Sequence, residues 1–188
     1  MVELKVDIKG FERAAKLIAH IPGAVAKARK YAVSKALTAV RATAVDLTTE
    51  EYYVKGKEIR SSIMMQRAQD NARMIIRGKR LLISHYIMSP KAPPKRGRYN
   101  LMGAVKRAGG LKPLGDRAFL MRTRTGKKYA PMRRKGRSRL PVEPIMAPAI
   151  PQIIGDNDMT VEAMTKAAQE AMTQEFQRQA MRILGVIR

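Results

Sequence analysis

Apolar and polar residues alternate strictly at the start of the chain, with Val2, Leu4, Val6 and Ile8 on one side and Glu3, Lys5, Asp7 and Lys9 on the other. Period-two alternation predicts a half-buried strand. Gly10 ends it, and Phe11 to Ala19 reads as a short helix that turns Phe11, Ala14, Ala15 and Ile18 inward. The period then lengthens. From Pro22 to about Leu47, Val25, Ala32, Ala36, Val40 and Leu47 recur at helical spacing, flanked by Val33, Leu37 and Ala44. Lys27, Lys30, Ser34, Thr38 and Arg41 mark the opposite face, and Arg29 interrupts the apolar one. This pattern predicts one long helix with a small-residue packing face. Pro22 suits its first position, where no amide donor is needed.

Beyond Thr48 to Tyr53 the helix should end, with a brief helical turn over Val54 to Arg60. Strand patterns follow over Ser62 to Arg67 and Ala72 to Arg77, around Gln69, Asp70 and Asn71, whose residue types suit a tight hairpin turn. A third strand is expected over Arg80 to Met88, and further strands near Leu101 to Arg107, Arg117 to Thr123 and Tyr129 to Arg134. Pro141, Pro144, Pro148 and Pro151 predict an extended path without regular structure. Asp156 to Asp158 then offers a cap for a last helix, about Met159 to Leu184. Its apolar stripe is Val161, Met164, Ala168, Met172, Phe176 and Ile183. Whether that helix packs on its own chain or on a neighbouring copy is left open by the pattern.

The fold class expected from this order is α+β: a mostly antiparallel sheet packed against the long helix, with a C-terminal helical arm. Residues 1–154 would form the core domain, with a basic loop at about 89–100, and 155–188 the terminal amphipathic helix. A chain of 188 residues suffices for one respectable core. No apolar run approaches a membrane span, and the N-terminus lacks a signal-peptide core, so no membrane partner is expected. With no cysteine, disulfides and thiolate chemistry are excluded. The 13 methionines provide flexible packing.

Candidate chemistry is sparse. His20 and His85 stand alone, without a second ligand at metal-binding spacing. Thr125, Gly126 and Lys127 resemble the end of a phosphate-binding loop, yet Met121 stands where the loop needs Gly and Lys128 where it needs Ser or Thr. Glu50, Glu51 and Asp116 do not form an acid–base pair, and Ser34, Ser84 and Ser89 lack a nucleophile elbow. The sequence therefore points away from an enzyme, and it implies no cofactor and no metal.

Charge changes the picture most. The formal net charge is +23, and nearly half of the 38 Lys and Arg fall between Lys91 and Arg139, opposed there only by Asp116. Such density calls for an acidic partner, either phosphates or a carboxylate-rich protein surface. The candidate contact residues are Lys95, Arg96, Arg98, Arg122, Arg124, Lys127, Lys128, Arg133, Arg134, Lys135, Arg137 and Arg139. No helix-turn-helix, zinc-finger or aromatic RNA-binding signature accompanies them, so sequence-specific reading is not implied. On charge alone, a non-specific nucleic-acid-binding protein is the alternative reading.

The order of features carries further information. The KALTAVRATA run in the long helix, YYVKGKEIRSSIMMQRA leading into a hairpin, the AFLMRT strand and YAPMRRKGRSRLPVEPIMAPAIPQII together resemble the bacteriophage minor tail protein Z family, over roughly Ala28 to Ile154. The family commonly places Gly where Ala147 stands here, and the basic insertion at Pro90 to Tyr99 is peculiar to this chain. The resemblance implies a structural virion protein, made in the host cytoplasm, that completes the tail at its head-proximal end and enables head–tail joining. It implies a homo-oligomeric ring, of six copies, whose partners are the tail terminator or tube, the head–tail connector and packaged DNA.

Overall fold

The computed structural model describes residues 2–5, 12–67, 72–124, 126 and 128–186. The longest element is helix α2 (Ala24–Glu51), preceded by strand β1 (Val2–Lys5) and helix α1 (Glu12–Ile18). Its 28 residues extend about 42 Å. It starts two residues after the proline expected to open it. Ala24 N–H donates to Ile21 O at 3.1 Å while Gly23 sits at φ 72 and ψ −3. Those values are those of the third residue of a type II turn, so Pro22 presets the turn and Gly23 supplies the left-handed conformation. The pair therefore serves the α1–α2 corner rather than the helix.

The buried face of α2 runs through Ala24, Ala28, Ala32, Ala36, Val40, Ala44 and Thr48, with Val33, Leu37 and Val45 beside it. Val25 and Leu47, expected on this face, are only half-buried at its margin. The row recurs every fourth residue, and small side chains along it let a second helix approach closely. That helix is α5 (Asp158–Ile183), which makes the most extensive contact of any element pair with α2 of its own chain. The predicted stripe holds: Met164, Ala168, Met172 and Phe176 are buried, with Val161 and Ile183 half-buried at the margin. Thr160, Gln179 and Ala180 join the buried face.

Helix α3 (Gly56–Ser62) leads into the expected hairpin of β2 (Ile63–Arg67) and β3 (Ala72–Ile76), paired from Ile63↔Ile76 to Arg67↔Ala72. The turn proposed at Gln69 to Asn71, and the first strand beyond Lys5, lie outside the described residues, as does Phe11. Strand β1 pairs on the far side of β3, which makes β3 the central strand of this sheet, and Met74, Ile75 and Ile76 are buried in succession.

The class is the expected α+β with antiparallel strands, but the strands are divided differently: among the described residues three further small antiparallel sheets follow instead of one. The strand expected over Arg80 to Met88 is broken into β4 (Leu81–Leu82), a 3-10 turn (Ile83–His85) and β5 (Ile87–Ser89). The break lets the chain change sheets: β4 pairs with β11 (Met146–Ala147), β5 with β6 (Met102–Ala104), and β7 (Lys112–Pro113) extends that second sheet. A Cβ at Gly103 of β6 would stand 3.0 Å from the Ile83 side chain and 3.2 Å from Leu114, so the turn packs directly onto bare backbone.

The last sheet has the order β10 (Val142–Pro144), β9 (Tyr129–Arg134), β8 (Ala118–Arg122). The proline-rich strap is thus not devoid of regular structure, contrary to expectation. It contains β10, β11 and helix α4 (Ile150–Gly155), in which Pro151 occupies the first turn. Pro144 ends an edge strand and Pro151 begins a helix, two positions where a missing N–H costs nothing. Ala147, where the resemblance leads to an expectation of Gly, is 2% exposed within the core.

Candidate partner-binding surface

Strands β8 and β9 are in register from Ala118↔Arg133 to Arg122↔Tyr129, and their inner positions Leu120, Pro131 and Met132 are buried. The cationic side chains project from what is left: the hairpin tip, the strand ends and the loop beyond β9. Arg122, Arg124 and Lys128 stand exposed at the tip. The tip is closed by Thr123, whose N–H and hydroxyl both donate to Lys128 O, at 2.9 and 3.0 Å. Arg122 Nε donates to Gly126 O at 3.1 Å. Lys127 lies outside the described residues.

The Arg133, Arg134, Lys135 triplet is split by the alternation of the strand. Arg133 reaches Glu143 on β10, with Nη2 at 2.7 Å and Nε at 3.2 Å from Oε1, and Lys135 Nζ lies 3.8 Å from Oε2. Arg134 stacks on the other side, its guanidinium 5.3 Å from the centre of the Phe119 ring. The hydrogen bonds from Arg133 hold the Glu143 carboxyl below its ordinary value, with the Lys135 charge adding to the effect and desolvation opposing it. Glu143 therefore stays charged at neutral pH and neutralises part of the triplet. The sequence gives little hint of this counter-ion, which stands just past the basic segment and meets Arg133 only through the β9–β10 register.

Arg137 and Arg139 project from an exposed loop closed by Lys135 N–H donating to Pro141 O at 3.2 Å. Lys95, Arg96 and Arg98 are exposed on the 89–100 loop. That loop is fastened to the same sheet: the Tyr99 hydroxyl accepts from Leu120 N–H on the outer edge of β8, at 3.0 Å. Tyr99 thus satisfies an edge donor that would otherwise invite strand pairing. The described candidate residues all lie on this one sheet and the loops attached to it.

A second charged site lies elsewhere, where α2 ends and α5 begins. Glu51 Oε1 is 2.9 Å from Lys106 Nζ, and its Oε2 accepts from Asn157 Nδ2 at 2.7 Å. Asn157 also caps α5, its Oδ1 accepting from Thr160 N–H at 3.1 Å. The hydrogen bond from Lys106 is the largest influence lowering the Glu51 carboxyl below its ordinary 4.5. Sequence reading missed this site because Glu51 and Asn157 are 106 residues apart.

Among the described residues, no three His, Asp or Glu side chains converge as a metal site would require, and no helix is long and apolar enough to cross a membrane. Searches of curated proteins and of solved structures return no match. The family model described as prophage minor tail protein Z matches residues 8–187. The chain accordingly belongs to the prophage minor tail protein Z family, structural proteins of the phage tail.

Proposed function

We propose that this chain completes the tail of a bacteriophage. In this reading it assembles as a closed ring of six copies at the head-proximal end and makes the tail competent to join a filled head. The observation that carries the reading is the family match over residues 8–187. The exposed cationic loops support it, since they offer docking surfaces for the carboxylate-rich faces of neighbouring rings, the tail terminator or tube on one side and the head–tail connector on the other. Packaged DNA passes the same ring. A channel through which DNA slides should not grip phosphate strongly, so most of the charge serves protein contacts and the remaining arginines hold the DNA end. The work is done by surfaces, with no cofactor and no reactive atom, in the virion.

The test is reconstitution. Tails made without this chain are mixed with filled heads, and adding the purified chain is expected to restore infectious particles. A variant carrying Glu at Lys95, Arg96, Arg98, Arg122 and Arg124 should fold normally by circular dichroism and restore few. Joining that proceeds equally well without the chain would overturn the reading. The net charge of +23 supports the second reading, non-specific nucleic-acid binding. Duplex DNA bound by the isolated monomer, with affinity falling steeply as salt rises, would favour it.

A further inference from the structure

Copies of a chain with net charge +23 repel one another, and a contact that sets an acidic surface of one copy against a basic surface of the next lowers that repulsion where a ring closes. The sheet β8–β9–β10 and its loops carry the cations described above, whereas three of the few carboxylates, Glu51, Asp156 and Asp158, gather where α2 ends and α5 begins. Lys106 takes up Glu51 there and Arg77 stands nearby, which leaves Asp156 and Asp158 as the carboxylates open to a partner. At that end an open groove of about 630 Å³, lined by Glu51, Lys106, Gln152, Asp156, Asp158 and Met159, borders α4, and a second cavity of about 600 Å³, lined by Arg77, also touches Gln152 and Asp156. Met159 stands on the margin of the groove, 77% exposed, and Asp156 and Asp158 have no ion-pair partner among the described residues.

The matching surface is on the same chain. In the loop after β9, Arg137 and Arg139 precede Leu140, a large apolar side chain left 69% exposed. Two cations and an apolar tip are the complement of two carboxylates and Met159. We propose that the groove beside α4 receives the 136–140 loop of a second copy of this chain, with Arg137 and Arg139 on Asp156 and Asp158 and Leu140 against Met159. The contact is heterologous, joining two different patches, which is the kind that generates a ring when its rotation closes. It rests on the ring reading above and names the surfaces that build the ring.

The experiment is sedimentation velocity on the full chain, nuclease-treated, at moderate salt. Wild type is expected to self-associate, and the double variants R137E/R139E and D156K/D158K each to lose on the order of a hundredfold in self-association. Mixing the two variants restores opposite charges at both contacts and is expected to recover the oligomer, a result that misfolding of either variant cannot produce. Variants that assemble like wild type, or mixtures that stay monomeric, would overturn the contact while leaving the ring reading in place. A wild-type chain that stays monomeric at every concentration would overturn both.

Discussion

Tyr86 donates its hydroxyl proton to Pro148 O at 2.8 Å, fastening the 3-10 turn to the proline-rich strap. Burial pushes this phenol up to about 12, because the phenolate would have to form away from water, with the Tyr52 phenol adding to the effect. The sign of the pH effect follows. Unfolded chains lose the proton near the ordinary value of 10.0 while the folded protein keeps it until about 12, so this residue's contribution is intact below pH 10.0 and is lost as pH rises through that window. Tyr86→Phe should cost about 1 kcal/mol at neutral pH by leaving the Pro148 carbonyl unpaired. It should also flatten the alkaline loss of stability, which urea unfolding at about pH 9 and about pH 11 would read directly. An unchanged alkaline slope would show that other groups govern that limb.

Between elements, α2 and α5 carry the main packing seam, and their division of labour is simple. α2 contributes mostly alanine, and α5 contributes Met164, Met172 and Phe176, so bulk on one helix fills the room left by the other. Phe176 is 1% exposed, and Phe176→Ala should cost about 3–5 kcal/mol through lost burial and the cavity left behind. Thermal unfolding followed by circular dichroism should show a fall in Tm on the order of 10 °C. Both helices were legible in the sequence because each repeats its apolar face over many turns, which fixes the period well. The strands from Leu81 to Ala147 were legible only in part. Two- and three-residue strands such as Leu81–Leu82 and Met146–Ala147 are too short to establish an alternation, and they exist because the chain switches sheets there. Pro144 and Pro151 misled for a related reason: a proline forbids a donor, not a strand end or a helix start. At the candidate surface the sign of the charge was readable, being local composition. The Glu143 pairing and the Glu51–Asn157 contact were not, since each depends on residues brought together by register or by the α2–α5 seam.

For the molecule as a whole, the imbalance of charge competes with the fold. Ion pairs such as Glu51–Lys106 and Glu143–Arg133 join partly exposed groups, and pairs of that kind stabilise little. Against them stand the exposed cations of the sheet and its loops, all of one sign and held closer together in the folded chain than in the unfolded one. Repulsion of that kind acts over a Debye length of about 30 Å at roughly 0.01 M salt and about 8 Å at roughly 0.15 M, so added salt removes it. The two effects of salt oppose each other, since it weakens the ion pairs while relieving the repulsion. With a net charge of +23 the repulsion is the larger, and Tm should rise as salt is added over that range. Sulfate should raise it further than chloride at equal ionic strength, because exclusion from apolar surface adds to screening. A Tm that falls with added salt would mean that the ion pairs outweigh the repulsion, and that the cationic loops lie too far apart to strain the monomer.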